Sequence, residues 1–113
     1  MDIQKYLVES EKIEWEDLGA GVKRKILAYD NNLMMVLVSF QKDAIGYTHN
    51  HIHTQVTYVA NGSFEVEIED TKKILKTGDC FFVPSNLKHG VTALEDGTLI
   101  DIFTPMREDF IKK

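Results

Sequence analysis

The stretch GYTHNHIHTQVTYVANG, residues 46–62, decides how the chain is interpreted, because it holds three histidines within five residues. They are His49, His51 and His53. Residues two apart in an extended strand point to the same side, so the sequence predicts one strand face lined by these histidines and by Gln55. Neutral imidazole offers a nitrogen lone pair to metal ions near neutral pH. The pattern favours a metal site over a merely polar strand face.

The neighbouring segments are short and typical of strands. FEVEIED at 64–70 alternates apolar and acidic residues, the period of two expected of an antiparallel strand with one buried face. LMMVLVSF at 33–40 and CFFVP at 80–84 are apolar at both parities, which predicts strands covered on both faces. LIDIF at 99–103 places Asp101 on the same face as Leu99 and Phe103, and a carboxylate on an apolar face needs an explanation.

The spacing of these segments predicts an all-β fold. Helical periodicity is weak, and only a turn or two is expected in 2–12 and in 106–113. Six or more short strands in 113 residues indicate a sandwich or barrel. We expect residues 1–113 to form a single domain.

Charge and composition narrow the function classes. Thirteen Lys and Arg against eighteen Asp and Glu give a net charge of −5, so no nucleic-acid partner is expected. The longest aliphatic run, residues 33–38, is far shorter than the roughly 20 residues that span a bilayer, so no membrane partner is expected. The N-terminus lacks a secretory pattern, which predicts a cytoplasmic protein. Cys80 is the one cysteine, so a metal site must use nitrogen and oxygen ligands.

Two spaced motifs resemble those of the cupin superfamily. The residues of the first motif are a glycine, an HxH pair, a Glu or Gln and a glycine, here Gly46, His49, His51, Gln55 and Gly62. Those of the second are a glycine, a proline and a histidine, here Gly78, Pro84 and His89. Asn86 stands where the family usually has glycine. The resemblance covers about 33–107 and implies a double-stranded β-helix, a jelly-roll-like barrel, with short terminal helical turns.

The motif spacing indicates which histidines bind the ion. If His51 and His53 formed the HxH pair, the third ligand would fall at Thr57 or Tyr58, which do not normally bind a divalent ion. Starting from His49, the third ligand is Gln55. The predicted metal ligands are His49, His51, Gln55 and His89, and His53 becomes a substrate contact.

The expected cofactor is one divalent transition metal ion: nickel, zinc, manganese or iron. Four protein ligands on an ion that accepts six leave two positions for substrate. Gln55 stands where glutamate is commoner, so the site has one negative charge fewer and favours an anionic ligand.

The C-terminal stretch DIFTPMREDF, residues 101–110, together with GVKRKILAYDNNLMMV, resembles the KdgF type of small cupin from uronate breakdown. The resemblance implies a metal-dependent enzyme that opens the ring of 4,5-unsaturated uronates, from pectin or alginate, to the linear 5-keto-4-deoxyuronate. It also implies that Asp101, Phe103 and Arg107 form the non-metal part of the site.

The residue types suit that chemistry. The planar fork of Arg107 can hold a substrate carboxylate with two hydrogen bonds. Asp101 is the candidate general base and acid, and His53 and Tyr47 are candidate substrate contacts. Simpler interpretations stay open: Asp101 as a strand-end cap, Phe103 as core, and Arg107 paired with Glu108 or Asp109 on a solvated tail.

Two other functions are compatible with these residues. A cupin dioxygenase would need a redox-active metal and usually a glutamate at position 55. A non-catalytic cupin that binds a sugar or carboxylate would have little use for Asp101 beside an open metal site. Small cupins commonly pair, so a homodimer is expected, with a small anionic sugar as the substrate.

Overall fold

The computed structural model describes residues 1–111. Its regular elements are ten strands and one short α-helix, in the order β1 (Glu16–Gly19), β2 (Val22–Tyr29), β3 (Met34–Phe40), β4 (Ile45–His49), β5 (Thr54–Asn61), β6 (Ser63–Ile68), β7 (Thr71–Lys76), β8 (Cys80–Val83), β9 (His89–Ala93), β10 (Gly97–Thr104) and α1 (Glu108–Ile111). Two 3₁₀ turns, Ile3–Tyr6 and Ser10–Lys12, precede β1. The predicted all-β fold with helical turns near its ends is confirmed, and Lys112 and Lys113 of the second predicted turn lie outside the described residues.

The strands form two antiparallel sheets that face each other across one apolar core. The larger sheet has the order β1-β2-β3-β10-β5-β8, and the smaller has the order β4-β9-β6-β7. The inward side chains of both sheets meet in the core, with Met34 and Val36 of one sheet and Phe64 of the other fully buried. This is the jelly-roll-like arrangement that the sequence predicts.

Two of the strand predictions were wrong about burial. β3 and β8 were expected to be covered on both faces, but each has one buried and one outward face. Met35 is partly exposed, Phe82 is 59% exposed, and Cys80 is also exposed. Apolar residues on the outward face of a sheet give the same sequence pattern as a strand buried on both sides, so periodicity alone does not separate the two.

The expectation of one continuous histidine strand was also wrong. β4 ends at His49 and β5 begins at Thr54, so residues 50–53 form a loop that joins the smaller sheet to the larger. This change of sheet places His49 and Gln55 on opposite walls of the same interior, which a single strand face would not do.

The pairing of β5 with β10 fixes the other wall of the interior. Thr57 lies directly opposite Asp101, and Gln55 lies opposite Phe103. Side chains opposite each other in an antiparallel pair point to the same side, so all four enter the barrel. Among residues 1–111, the structure has no helix of the length and hydrophobicity that crossing a bilayer requires.

Candidate metal centre

Three histidines meet at one end of the barrel interior. His49 ends β4, His89 begins β9 directly opposite it, and His51 lies in the loop between β4 and β5. Their ring centroids are 4.4 Å apart for His49 and His89, 4.9 Å for His51 and His89, and 5.4 Å for His49 and His51. One nitrogen from each ring lies within 4.8 Å of the others, so these three residues form a group able to hold a metal ion.

The hydrogen bonds of the three rings determine which nitrogen faces the centre. Each Nδ1 contacts a backbone carbonyl oxygen: His49 that of Tyr47 at 2.7 Å, His51 that of His53 at 3.1 Å, and His89 that of Leu87 at 3.0 Å. A carbonyl only accepts, so each Nδ1 carries the proton and each neutral ring has its lone pair on Nε2. Nε2 of His89 is buried and has no hydrogen-bond partner among the described residues. This is the tautomer and orientation that a bound cation requires, and the residues therefore fit a metal ion.

Gln55 closes the fourth side of this group. Its side chain is 5% exposed, and its Oε1 lies 3.1 Å from Nε2 of His51. Its Nε2 donates to the hydroxyl of Thr57 at 2.8 Å and lies 3.4 Å from Oδ1 of Asp101. The oxygen of Gln55 and the lone pair of His51 are both acceptors, and a cation between two such atoms relieves their repulsion.

Burial lowers the pKa of two of these histidines. It is the largest cause that lowers the pKa of His51, and the positive charge of Arg107 is the second. Burial also lowers the pKa of His89 to about 4, only partly offset by the hydrogen bond to the Leu87 carbonyl. These two imidazoles are therefore unprotonated at neutral pH, and protons do not compete for their lone pairs.

Asp101 points into the barrel beside Gln55. Its Oδ1 accepts a hydrogen bond of 2.7 Å from the hydroxyl of Thr57. Burial raises the pKa of Asp101 to about 6, although the Thr57 hydrogen bond and the charge of Arg107 act in the opposite direction. In the described part of the chain, both hydrogen bonds to this carboxyl end on Oδ1. A carboxyl with a pKa near neutrality and one available oxygen is suited to proton transfer.

Arg107 follows β10 and lies against an aromatic pair. Its guanidinium carbon is 5.1 Å from the ring centre of Phe103 and 4.3 Å from that of Phe110. Phe103 is buried, and its ring also packs edge-on against His51 at 5.8 Å. Asp109 accepts two hydrogen bonds from the same guanidinium. Phe103 therefore links Arg107 to the histidine group. The predicted pair with Asp109 is present, but the Arg107 side chain is only 11% exposed and does not lie on a solvated tail.

Comparisons with known proteins agree with this architecture. The Cupin domain family model matches residues 36–103. The pectin degradation protein KdgF of Dickeya dadantii (strain 3937) is 52% identical over 111 residues, covering 96% of this chain and 100% of that protein. The chain belongs to the KdgF family of cupins.

Two solved cupin structures superimpose closely on this KdgF-family chain. The structure of KdgF from Halomonas sp. has a TM-score of 0.88 and 42% identity, covering 91% of this chain and 97% of that one. An RmlC-like cupin from Shewanella frigidimarina NCIMB 400 also has a TM-score of 0.88, with 46% identity over 90% of this chain and 92% of that one. The family resemblance drawn from the two motifs is thereby confirmed.

One departure from the cupin motif has a structural explanation. Asn86 replaces the usual glycine and has a φ of 70°, in the left-handed region that asparagine adopts more readily than most residues. Its backbone N–H donates to the carbonyl oxygen of His51 at 2.7 Å. The second motif thus holds the loop of the first motif in place.

The two predicted substrate contacts of this cupin lie in different places. His53 is beside the group, with its ring 5.3 Å from that of His51 and 6.4 Å from that of Phe103, and it lines a cavity with Asn31 and Met106. Tyr47 is 72% exposed and lines a groove on the outward side of the smaller sheet together with Glu65 and Glu67. The structure therefore brings His53 to the site, whereas Tyr47 meets the group only through its backbone carbonyl oxygen, which contacts Nδ1 of His49.

Sequence reasoning missed Thr57 as a member of this site. Thr57 is fully buried and bonds both Gln55 and Asp101. The available signal was parity, because Thr57 is two residues after Gln55 and so points to the same side of β5. The partner strand could not be identified without the topology.

Proposed function

We propose that this cupin opens the ring of 4,5-unsaturated uronates derived from pectin or alginate and releases the linear 5-keto-4-deoxyuronate. The observation that carries the proposal is the position of Gln55, whose amide joins the histidine group, 3.1 Å from His51, to the inward carboxyl of Asp101 at 3.4 Å. The 52% identity with a pectin degradation protein supports the choice of substrate class.

In this proposal His49, His51, Gln55 and His89 hold one divalent transition metal ion. All four present a lone pair on nitrogen or oxygen, a ligand set that nickel, zinc, manganese and iron accept. When bound, the ion polarises substrate oxygens and stabilises negative charge that develops on them.

Asp101 moves the proton. As base it takes the proton of the anomeric hydroxyl at C1, whose oxygen becomes the aldehyde as the bond between C1 and the ring oxygen breaks. The electron pair of that bond stays on the oxygen at C5 as an enolate. Asp101 then returns the proton to C4, and C5 becomes the ketone. No atom is gained or lost, so this isomerisation needs no oxidant.

Arg107 binds and orients the substrate carboxylate. Its guanidinium lies 5.1 Å from the ring of Phe103, which itself packs against His51. A fork of N–H donors held on an aromatic face presents two parallel hydrogen bonds to a carboxylate. Phe103 excludes water from the side of the site next to Arg107. His53, beside Phe103, contacts the part of the substrate that extends out of the barrel.

We also propose that two copies of the chain pair through the outward face of the larger sheet. Ile102 lies between Met35 and Val56 on this face, and Val56 lies beside Phe82. Four adjacent strands contribute apolar side chains to the face, namely Met35, Leu37, Val56, Tyr58, Phe82, Ile100 and Ile102. A contiguous exposed apolar surface of this kind is typical of an interface between proteins.

The proposed reaction is tested by mixing metal-loaded protein with 4,5-unsaturated uronate monomer and following the loss of the conjugated double bond by ultraviolet absorbance. We expect acceleration over the spontaneous rate that disappears with chelator and returns with metal. The His89→Ala variant should lose bound metal and this activity together. No acceleration with nickel, zinc, manganese or iron would exclude this reaction and leave a dioxygenase or a binding function for the same site.

A further inference from the structure

The side chain of Thr57 lies at the centre of a short hydrogen-bond network, although Thr57 itself belongs to neither cupin motif. Thr57 is fully buried on β5 and directly opposite Asp101 on β10. Its hydroxyl is 2.7 Å from Oδ1 of Asp101 and 2.8 Å from Nε2 of Gln55. Gln55 in turn places Oε1 3.1 Å from Nε2 of His51. The network therefore runs from the carboxyl of Asp101 through the hydroxyl of Thr57 and the amide of Gln55 to the histidine group.

The donors and acceptors in this network allow only one orientation of the Gln55 amide. A carboxylate only accepts hydrogen bonds, so the hydroxyl of Thr57 donates its single hydrogen bond to Asp101. The hydroxyl oxygen then accepts from Gln55, and only the NH₂ end of the amide can donate to it. Rotation of the amide by 180° would set its oxygen against the acceptors of Thr57 and Asp101 and leave the buried NH₂ facing the histidines.

We propose that Thr57 is a positioning residue that fixes the amide of Gln55 with its oxygen facing the metal site. The inference rests on the ligand set proposed above, because it assigns to Thr57 the task of presenting one of those ligands. Only the oxygen of an amide has a lone pair to offer a cation, so an amide without a fixed orientation is a poorer ligand. Partners that orient a metal ligand in this way are typically worth about 10- to 100-fold in metal affinity.

A purely structural role for Thr57 makes the opposite prediction for two small substitutions. Thr57→Val keeps the volume of the side chain and removes the hydroxyl, whereas Thr57→Ser keeps the hydroxyl and removes a methyl group from a buried position. If packing is the only role, the serine variant is the more damaged of the two. If the hydroxyl positions Gln55, the valine variant loses metal affinity and the serine variant retains it.

The experiment titrates chelator-stripped protein with Co²⁺ at pH 8, and measures both the visible absorption spectrum and the dissociation constant by competition with a chelator. We expect Thr57→Val to bind Co²⁺ about 10-fold more weakly with an altered spectrum, and Thr57→Ser to remain within about 3-fold of the unchanged protein. Thr92→Val, on the smaller sheet, is the control for loss of a threonine hydroxyl elsewhere and should match the unchanged protein.

A second pair of variants isolates the path through Gln55. In a Gln55→Ala background, Thr57→Val has no amide to misorient and should change Co²⁺ affinity by less than about 3-fold. An equal loss in both backgrounds, or a Thr57→Val protein with normal affinity and spectrum, would overturn the inference. The readout is metal binding alone, so an absence of uronate ring opening would remove the proposed reaction without affecting this result.

Discussion

Asp109 holds the guanidinium of Arg107 with two hydrogen bonds, from Nε to Oδ1 at 3.0 Å and from an Nη to Oδ2 at 2.8 Å. This is the geometry with which a guanidinium binds a substrate carboxylate. The hydrogen bond from Arg107 is the largest cause that lowers the pKa of Asp109, so this carboxyl is ionised at neutral pH. Asp109 therefore occupies one edge of the guanidinium and places a negative charge beside the group to which the proposed function assigns the substrate carboxylate.

We expect Asp109→Asn to lower the KM for the unsaturated uronate, because it removes a competing charge. Asp109 is 59% exposed, and exposed ion pairs are worth about 0.2 to 1 kcal/mol, so the decrease should be about 1.4- to five-fold. Steady-state kinetics by ultraviolet absorbance measure it, with Asp70→Asn, in the β6–β7 turn, as the control for loss of one negative charge. A higher KM would instead show that Asp109 orients Arg107 for its substrate.

Asp101→Asn should separate catalysis from metal binding. The asparagine amide keeps the shape of the side chain, and its oxygen can still accept the hydrogen bond from the Thr57 hydroxyl. It does not act as a general acid or base. We expect turnover to fall at least about 100-fold while the metal content, measured by mass spectrometry, stays within about two-fold. Asp79→Asn, in the turn before β8, is the matched control. Equal turnover would exclude Asp101 as the acid and base.

The pH dependence of stability should show two opposing contributions in chelator-treated protein. The pKa of His89 is lowered from 6.5 to about 4, so the unfolded state binds more protons in that range and the free energy of unfolding rises with pH. The pKa of Asp101 is raised from 3.8 to about 6, so the native state binds more protons there and the free energy of unfolding falls as pH rises.

Single variants should reveal each contribution. With Asp101→Asn, we expect the free energy of unfolding to rise by about 2 to 3 kcal/mol between pH 4 and pH 6.5, relative to the unchanged protein. With His89→Gln, we expect the free energy of unfolding to fall by a similar amount between pH 4 and pH 6, again relative to the unchanged protein. Urea titrations across this range measure both slopes, and parallel pH profiles for all three proteins would contradict the assignment.

The local sequence patterns predicted most of the strands and the histidines that the structure groups together, but not their three-dimensional relationships. Period-two alternation correctly placed Asp101 on the inward face with Phe103, because strand parity holds wherever β10 pairs. The HxH spacing selected His49 and His51, whose rings do meet His89, although a loop and not a strand carries His51 there.

What the sequence could not give depends on contacts between distant segments. The hydrogen bond from Thr57 to Asp101 joins residues 44 apart and exists only because β5 pairs with β10 in that register. The position of Tyr47 depends on which side of the smaller sheet it faces, and a register irregularity between Gly46 and His49 interrupts strand parity there. The predicted substrate contact at Tyr47 stays a prediction.

The outward face of the larger sheet leads to a prediction about assembly. Phe82 is 59% exposed on this face, and the other apolar side chains of the face come from the three strands β5, β10 and β3. In an isolated chain, an exposed side chain of this kind contributes little to stability, so its replacement by aspartate is tolerated there. In a dimer formed through this face, the same replacement buries an unpaired charge, which strongly disfavours association.

We therefore expect the unchanged protein to have twice the mass of one chain by light scattering after size exclusion, and Phe82→Asp to have the mass of one chain. Ile74→Asp is the control, because Ile74 is 54% exposed on the smaller sheet and lies outside the proposed interface. Metal content should be unchanged in both variants, since neither residue contacts the histidine group. A single-chain mass for the unchanged protein, or an unaltered mass for Phe82→Asp, would contradict the proposal that the dimer forms through this face.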